Sequence, residues 1–256
     1  MTTTSIDATS IPRIGHDEAM RITAVEFDRM LTLLGELEGD DWRRQTDNDE
    51  WDVRATALHV LGAAEANASL RENLSQFTRG RRLFKQIGGH HWVDGINEIQ
   101  IRDRAGLTDH QITERLAAAA PRAVKVRSRI PAPIRKLRVV DFGPVIGRQT
   151  VGYLMDMVYT RDVWMHRVDI ARATDRKVEV TADHDGRIVA DMVAEWAALF
   201  DEPFSLDLLG VAGGSYHRSA PDGSDGEHVA VDAVEFVRTI SGRAEGTGLL
   251  SHPLPL

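Results

Sequence analysis

Tyr159-Thr-Arg-Asp-Val-Trp-Met-His-Arg-Val-Asp169 decides how this chain is read, because its residue types repeat with the period of an α-helix. Asp162 and His166 are four residues apart, so both side chains leave one helix face, one turn above the other. Met155 and Tyr159 precede them on that face and Asp169 follows, while Val151, Leu154, Val158 and Met165 supply apolar bulk on the adjoining faces. A helix that is apolar around much of its girth must bury its polar stripe or line a cavity with it. Far upstream, Trp51-Asp-Val-Arg-Ala-Thr-Ala-Leu-His59 sets a histidine among alanine and leucine on a second helix. Two imidazoles and a carboxylate are what a borderline-soft divalent ion takes when one coordination position stays open for chemistry. His59, Asp162 and His166 are therefore the candidate metal ligands. The same spacing also accommodates an ordinary i,i+4 pair on a solvated stripe, and His59 a core histidine satisfied by a hydrogen bond.

Working outward, the rest of the chain supplies a scaffold for such a site. Its 256 residues exceed a minimal domain and fall short of two large ones, which predicts one larger and one smaller unit. Hydrophobic residues at 42% and charged residues at 27% are those of a globular protein with a real core. A net charge of −8 argues against a nucleic-acid partner. The basic runs Arg79-Gly-Arg-Arg82 and Arg135-Lys-Leu-Arg138 read as solvated faces or loops. There is no cysteine, which excludes disulfides, thiolate ligands and a protein-borne sulfur nucleophile, so any thiol chemistry must borrow its thiol. The N-terminal residues lack a basic segment followed by an apolar one, and no apolar run is long enough to span a bilayer; a cytoplasmic protein without a membrane partner is the expectation.

Amphipathic periodicity predicts helices over 16–38, from Trp51 to about Phe77, from Thr108 to about Arg129, and from about Gly147 to Thr174. Thr108-Asp-His-Gln111 has capping-box spacing, and Pro121 is a candidate bend. Residues 79–106 read as a long connection, with turns at Gly88-Gly-His-His-Trp92 and Asp94-Gly95, a short helix from Ile96 to Arg104, and the length and glycines of an active-site lid. Four long helices with two crossing connections predict a mainly α fold, a four-helix bundle over 12–175. Beyond Asp175, alternation at Lys177-Val-Glu-Val180, apolar stretches at Phe204–Val211 and Glu227–Val231, and helices over 184–200 and 232–241 predict a small α+β domain over 176–256.

Other motifs carry less chemistry. The adjacent pair His90-His91 points in two directions and reads as structural or as part of the lid. Gly210-Val-Ala-Gly-Gly214 lacks the Lys-Ser/Thr ending of a phosphate loop and reads as a turn between strands. Neither a G-x-S-x-G elbow nor a dinucleotide fingerprint is present.

The His59 stretch, the helix Gly152–Ala173 and the ending Asp232-Ala-Val-Glu-Phe-Val-Arg-Thr-Ile-Ser-Gly-Arg243 together resemble the mycothiol-dependent maleylpyruvate isomerase family. The resemblance implies a DinB-like metal-binding four-helix bundle followed by a small α+β domain similar to sterol carrier protein. It implies a divalent metal, usually zinc, held by His59, Asp162 and His166, with aspartate here where the family commonly has glutamate. Asp169 matches a further motif residue that fixes an imidazole or a neighbouring helix. The implied co-substrate is mycothiol, a small-molecule thiol of actinobacteria, activated as a metal-bound thiolate either to isomerise a small electrophile or to be transferred to it in an S-transferase reaction. Arg218, in Ser215-Tyr-His-Arg218, is the candidate to hold a substrate carboxylate, on charge and loop position alone. A non-catalytic ligand-binding or regulatory protein with a relaxed metal site, and a metal-dependent hydrolase on the same bundle, are the alternatives.

Overall fold

The computed structural model describes residues 5–87, 91–220 and 226–254. Over its described residues the chain divides into two compact units. One comprises His16–Val140 and Thr150–Val178, the other Met1–Gly15, Asp141–Gln149 and Glu179–Leu256. Both are thus discontinuous in sequence, unlike the expected split at 12–175 and 176–256. The mainly α character with a smaller α+β part is as expected.

In the first unit, α1 (His16–Gly35), α2 (Val53–Ala68), α5 (Asp109–Arg127) and α8 (Tyr159–Ala173) pack as the four-helix bundle. Its core joins Phe27, Met30 and Leu34 of α1 to Leu58 and Leu61 of α2, Ile112 and Leu116 of α5, and Val163 and Ile170 of α8. Asp52 starts α2 by accepting the backbone N–H of Ala55 at 2.7 Å. Thr108 and Gln111 form the reciprocal capping box expected for α5, which runs unbroken through Pro121. Between α1 and α8, the Arg167 guanidinium grips Glu26 with two bonds of 2.7 and 3.2 Å, both side chains buried, and the Thr23 and Thr160 hydroxyls meet at 2.7 Å. A buried bidentate pair loses its value when either partner shifts, so it fixes the register of α8 against α1.

The second expected helix is two. Ser69 turns extended (φ −150°, ψ 116°), ends α2, and its carbonyl and hydroxyl accept the Asn73 and Glu72 amides at 2.9 and 3.4 Å at the start of α3 (Leu70–Ile87). Ser69-Leu-Arg-Glu72 has capping-box spacing, a signal that the run of alanine and leucine before it conceals. The supposed long connection is likewise mostly helix: α3 packs against α4 (Trp92–Arg102). Gly80 and Gly95 are helical contact points rather than turns. A Cβ on Gly95 would lie 2.2 Å from the Gly80 carbonyl oxygen, and one on Gly80 would lie 2.6 Å from Ile96. The expected turn at Asp94-Gly95 lies inside α4; that at Gly88-Gly-His-His-Trp92 falls largely outside the described residues, as does His90, while His91 caps α4.

The last bundle helix also starts differently. After α6 (Ala132–Arg135), β2 (Arg138–Asp141), α7 (Gly143–Ile146) and β3 (Arg148–Thr150), the chain turns helical at Val151, widens into a π-helix over Tyr153–Val158, and tightens into α8. Asp156 in the π segment accepts His16 Nδ1 at 2.8 Å and lies 3.5 Å from Arg135. Such widened turns re-aim the residues that follow them, here the site-bearing helix.

In the second unit, β4 (Phe204–Leu209) lies between an antiparallel β5 (Gly214–Arg218) and a parallel β6 (Glu227–Asp232), and β1 (Ile6–Asp7) adds in parallel to β5. The expected turn at Gly210–Gly214 joins β4 to β5, with Gly210 at φ 88°. Phe204, Leu206 and Leu208 alternate inward from β4; Phe204 meets Trp196 of α9 (Asp185–Phe200), which meets Phe236 of α10 (Ala233–Ile240) edge-on. The expected strand at Lys177–Val180 is not formed: these residues make no ladder, and Val178 packs on the bundle core instead. No helix among the described residues is long and apolar enough to cross a membrane.

The contact between α3 and α4 leads to the first prediction. Gly95→Ala forces a methyl group onto a backbone oxygen that cannot rotate away, and costs about 1–3 kcal/mol by overpacking. Urea denaturation followed by circular dichroism measures it, and an unchanged midpoint would contradict the close approach.

Candidate metal centre

The bundle brings the three sequence-predicted ligands together. His59 stands on α2; Asp162 and His166 stand one turn apart on α8. His59 and His166 are 5% and 4% exposed, so neither is a solvated surface histidine. His59 Nε2 lies 3.4 Å from Asp162 Oδ2, and His166 Nε2 lies 3.4 Å from Asp162 Oδ1. One ligand atom from each residue lies within 4.8 Å of the other two. Two ligands of a tetrahedral zinc ion, each about 2.0–2.1 Å from it, stand about 3.3–3.4 Å apart, a separation that both histidine–carboxylate pairs have.

The surroundings orient the rings. His166 Nδ1 hydrogen-bonds Asp169 Oδ2 at 3.1 Å, which leaves Nε2 as the ring atom that faces Asp162 and could ligate an ion. Asp169 is fully buried, one turn beyond its partner. Among the described residues His59 Nδ1 is buried without a hydrogen-bond partner, so its orientation rests on packing and on the contact of Nε2 with Asp162. Trp51, the residue before the α2 cap, supplies that packing: its ring centroid lies 4.8 Å from His59 and 5.7 Å from His166, and the imidazoles meet edge to face at 5.0 Å. Trp51 was quoted in the motif without a role; position just before a helix gives no sign that a side chain folds back over the histidines.

Charges follow the geometry. Burial works against the Asp162 carboxylate, yet the two imidazoles facing it hold its pKa far below the usual carboxylate range. Burial likewise works against a charged His166, but Asp162 and Asp169 raise it from 6.5 to about 9. Without an ion, the group is therefore a carboxylate clasped by a protonated imidazole, and an incoming cation replaces that proton.

Asp162 also borders a small cavity shared with Arg127 and Tyr159, residues that the sequence did not single out as a pair. Burial pushes the Tyr159 hydroxyl up to about 12, so it remains a neutral donor. Arg127, in the last turn of α5, reads from sequence as a solvated basic residue favouring a helix C-terminus. Arg218 belongs to the other unit and ends strand β5 rather than sitting in a loop. Its guanidinium donates to the Ala197 carbonyl and the Asp201 carboxylate, which tie it to the end of α9.

The fold and this site define a helical-bundle protein with a buried two-histidine, one-carboxylate group able to hold a metal ion. Residues 23–171, more than half of the chain, match the model of the mycothiol maleylpyruvate isomerase N-terminal domain, and the chain belongs to that family. Crystal structures of a mycothiol-dependent maleylpyruvate isomerase and of a histidine-to-alanine mutant of it share the fold. Each aligns at a TM-score of 0.57 with 16% identity, covering 93% of this chain and 92% of its own. No curated protein matches the chain.

The raised pKa of His166 predicts how the metal-free protein responds to pH. A histidine whose folded pKa is raised stabilises the fold fully below its ordinary value of 6.5, and the contribution is lost as pH rises through about 9. Thermal melts of chelator-treated protein are expected to fall across that window, and the fall is expected to vanish in His166→Gln. A flat profile for the metal-free wild type would contradict the clasp between Asp162 and His166.

Proposed function

We propose that this chain is a metal-dependent, mycothiol-using enzyme that acts on a small electrophile, as an isomerase or an S-transferase. The observation that carries the reading is the convergence of His59, Asp162 and His166, with each imidazole 3.4 Å from the carboxylate and all three donors within 4.8 Å of one another. The family and the shared fold support the same reading.

His59, Asp162 and His166 would hold the ion from three sides, leaving a further position open. Bound there, a divalent ion supplies a Lewis-acid position that keeps a coordinated thiol ionised at neutral pH. The protein's residues do the rest. Asp162 neutralises part of the ion's charge, Asp169 keeps His166 in the ligating tautomer, and Trp51 shields both rings from water. The thiol must come from outside, since the chain has no cysteine. A nucleophile adding to a cis-alkene conjugated with carbonyls permits rotation and elimination to the trans isomer; one displacing a leaving group or opening an epoxide is transferred. Both outcomes need the same site.

Elemental analysis of tag-free protein dialysed against metal-free buffer is expected to show about one zinc or similar ion per chain, lost in His166→Ala. Turnover of electrophile panels is expected only with mycothiol present. A chain that takes up no metal would contradict the reading, and metal-dependent turnover without any thiol would replace it with a hydrolase using activated water.

A further inference from the structure

Arg127 is a buried cation that Asp156 and Asp162 favour only from beyond ion-pair distance. It is 1% exposed. One terminal nitrogen, Nη2, donates to the Met155 carbonyl in the π segment and, at 3.2 Å, to the Thr160 hydroxyl, while Nε is buried with no partner. Among the described residues no carboxylate lies within ion-pair distance of it. Arg104 and Arg167, buried to a similar degree, are met respectively by Glu65 with Glu72, and by Glu26. Burying an unpaired guanidinium costs several kcal/mol, and the face of Tyr159, 5.7 Å away, offsets only part of that. Burial accordingly lowers Arg127 to about 10, which still leaves it charged at neutral pH.

This cation borders a cavity. Ala63 and Ala64 of α2 and Ala123 of α5 line the space with Arg127, Tyr159 and Asp162. The backbone carbonyl and hydroxyl explain why Nη2 is held, but not why the charge lacks a counter-ion beside an open space. We propose that the cavity is an anion subsite in which Arg127 binds the carboxylate end of a small ligand, beside the His59/Asp162/His166 group. That the ligand is the electrophile rests on the proposed function; that the site takes an anion rests on Arg127 alone. Arg127 then fills the role that the sequence assigned to Arg218, whose charge is already matched by Asp201.

The test uses acetate as the probe on the full-length, zinc-loaded protein at constant ionic strength. The Nε resonance of Arg127, assigned by its loss in Arg127→Lys, is expected to shift saturably with acetate in the wild type. Calorimetry is expected to show at least tenfold weaker acetate binding in Arg127→Gln, with zinc content unchanged. If that variant fails to fold, the wild-type resonance decides. A resonance unmoved at large acetate excess, or equal affinity in wild type and variant, overturns the subsite. Zinc retained with no acetate effect defeats this inference alone. Acetate binding at Arg127 in a protein that holds no zinc upholds the subsite and defeats the proposed enzyme.

Discussion

Two imidazoles shut inside a bundle of apolar helices, with a partly exposed carboxylate between them, must be stabilised by one another or by a cation, and the first unit is arranged around that constraint. Asp162 sits between His59 and His166 at 3.4 Å from each. Burial disfavours every charge in the group, so each is tolerable only while its neighbour is in place. The relative position of α2 and α8 is therefore part of the chemistry. Glu26 with Arg167, and Thr23 with Thr160, set α8 against α1, while the cap at Asp52 sets where α2 begins and hence where His59 points. A one-residue slip of either helix would turn a ligand by about 100° away from the others.

The π segment ties this frame to the cavity. A widened turn leaves backbone carbonyls outside the regular ladder, and Arg127 reaches from α5 to satisfy that of Met155. Asp156 in the same segment holds His16 at the start of α1. The turn that presents α8 is thus fastened to two other helices, and the residue that fastens it on the α5 side, Arg127, has no carboxylate within ion-pair distance among the described residues. A site built on packed helices keeps its geometry better than one carried by loops.

Much of this was legible in the sequence, for identifiable reasons. The bundle helices declare themselves by apolar period, and Asp162 with His166 by their spacing of one turn. The resemblance supplied the link to His59, which no local pattern could have joined to α8. What misled was composition read without partners. Gly95 reads as a turn residue and Gly80 as part of a solvated face or loop, because only the packed pair shows that each makes room for the other helix. Lys177–Val180 alternates like a strand, yet a strand needs a ladder and none is formed there. Ile6–Asp7 is too short to register as a strand, and exists because β5 offers an edge. Arg127 and Arg218 look alike in sequence; the carboxylate beside one and the lack of one beside the other appear only in three dimensions.

X-ray absorption at the zinc edge of the loaded protein, before and after adding mycothiol, reads the neighbours of the ion themselves. The expected spectrum has an inner shell of nitrogen and oxygen at about 2.0–2.1 Å carrying the outer-shell signature of two imidazoles, and a new sulfur neighbour at about 2.3 Å once the thiol is present. A spectrum with fewer than two imidazoles, or one in which saturating thiol brings no sulfur to the ion, would contradict it.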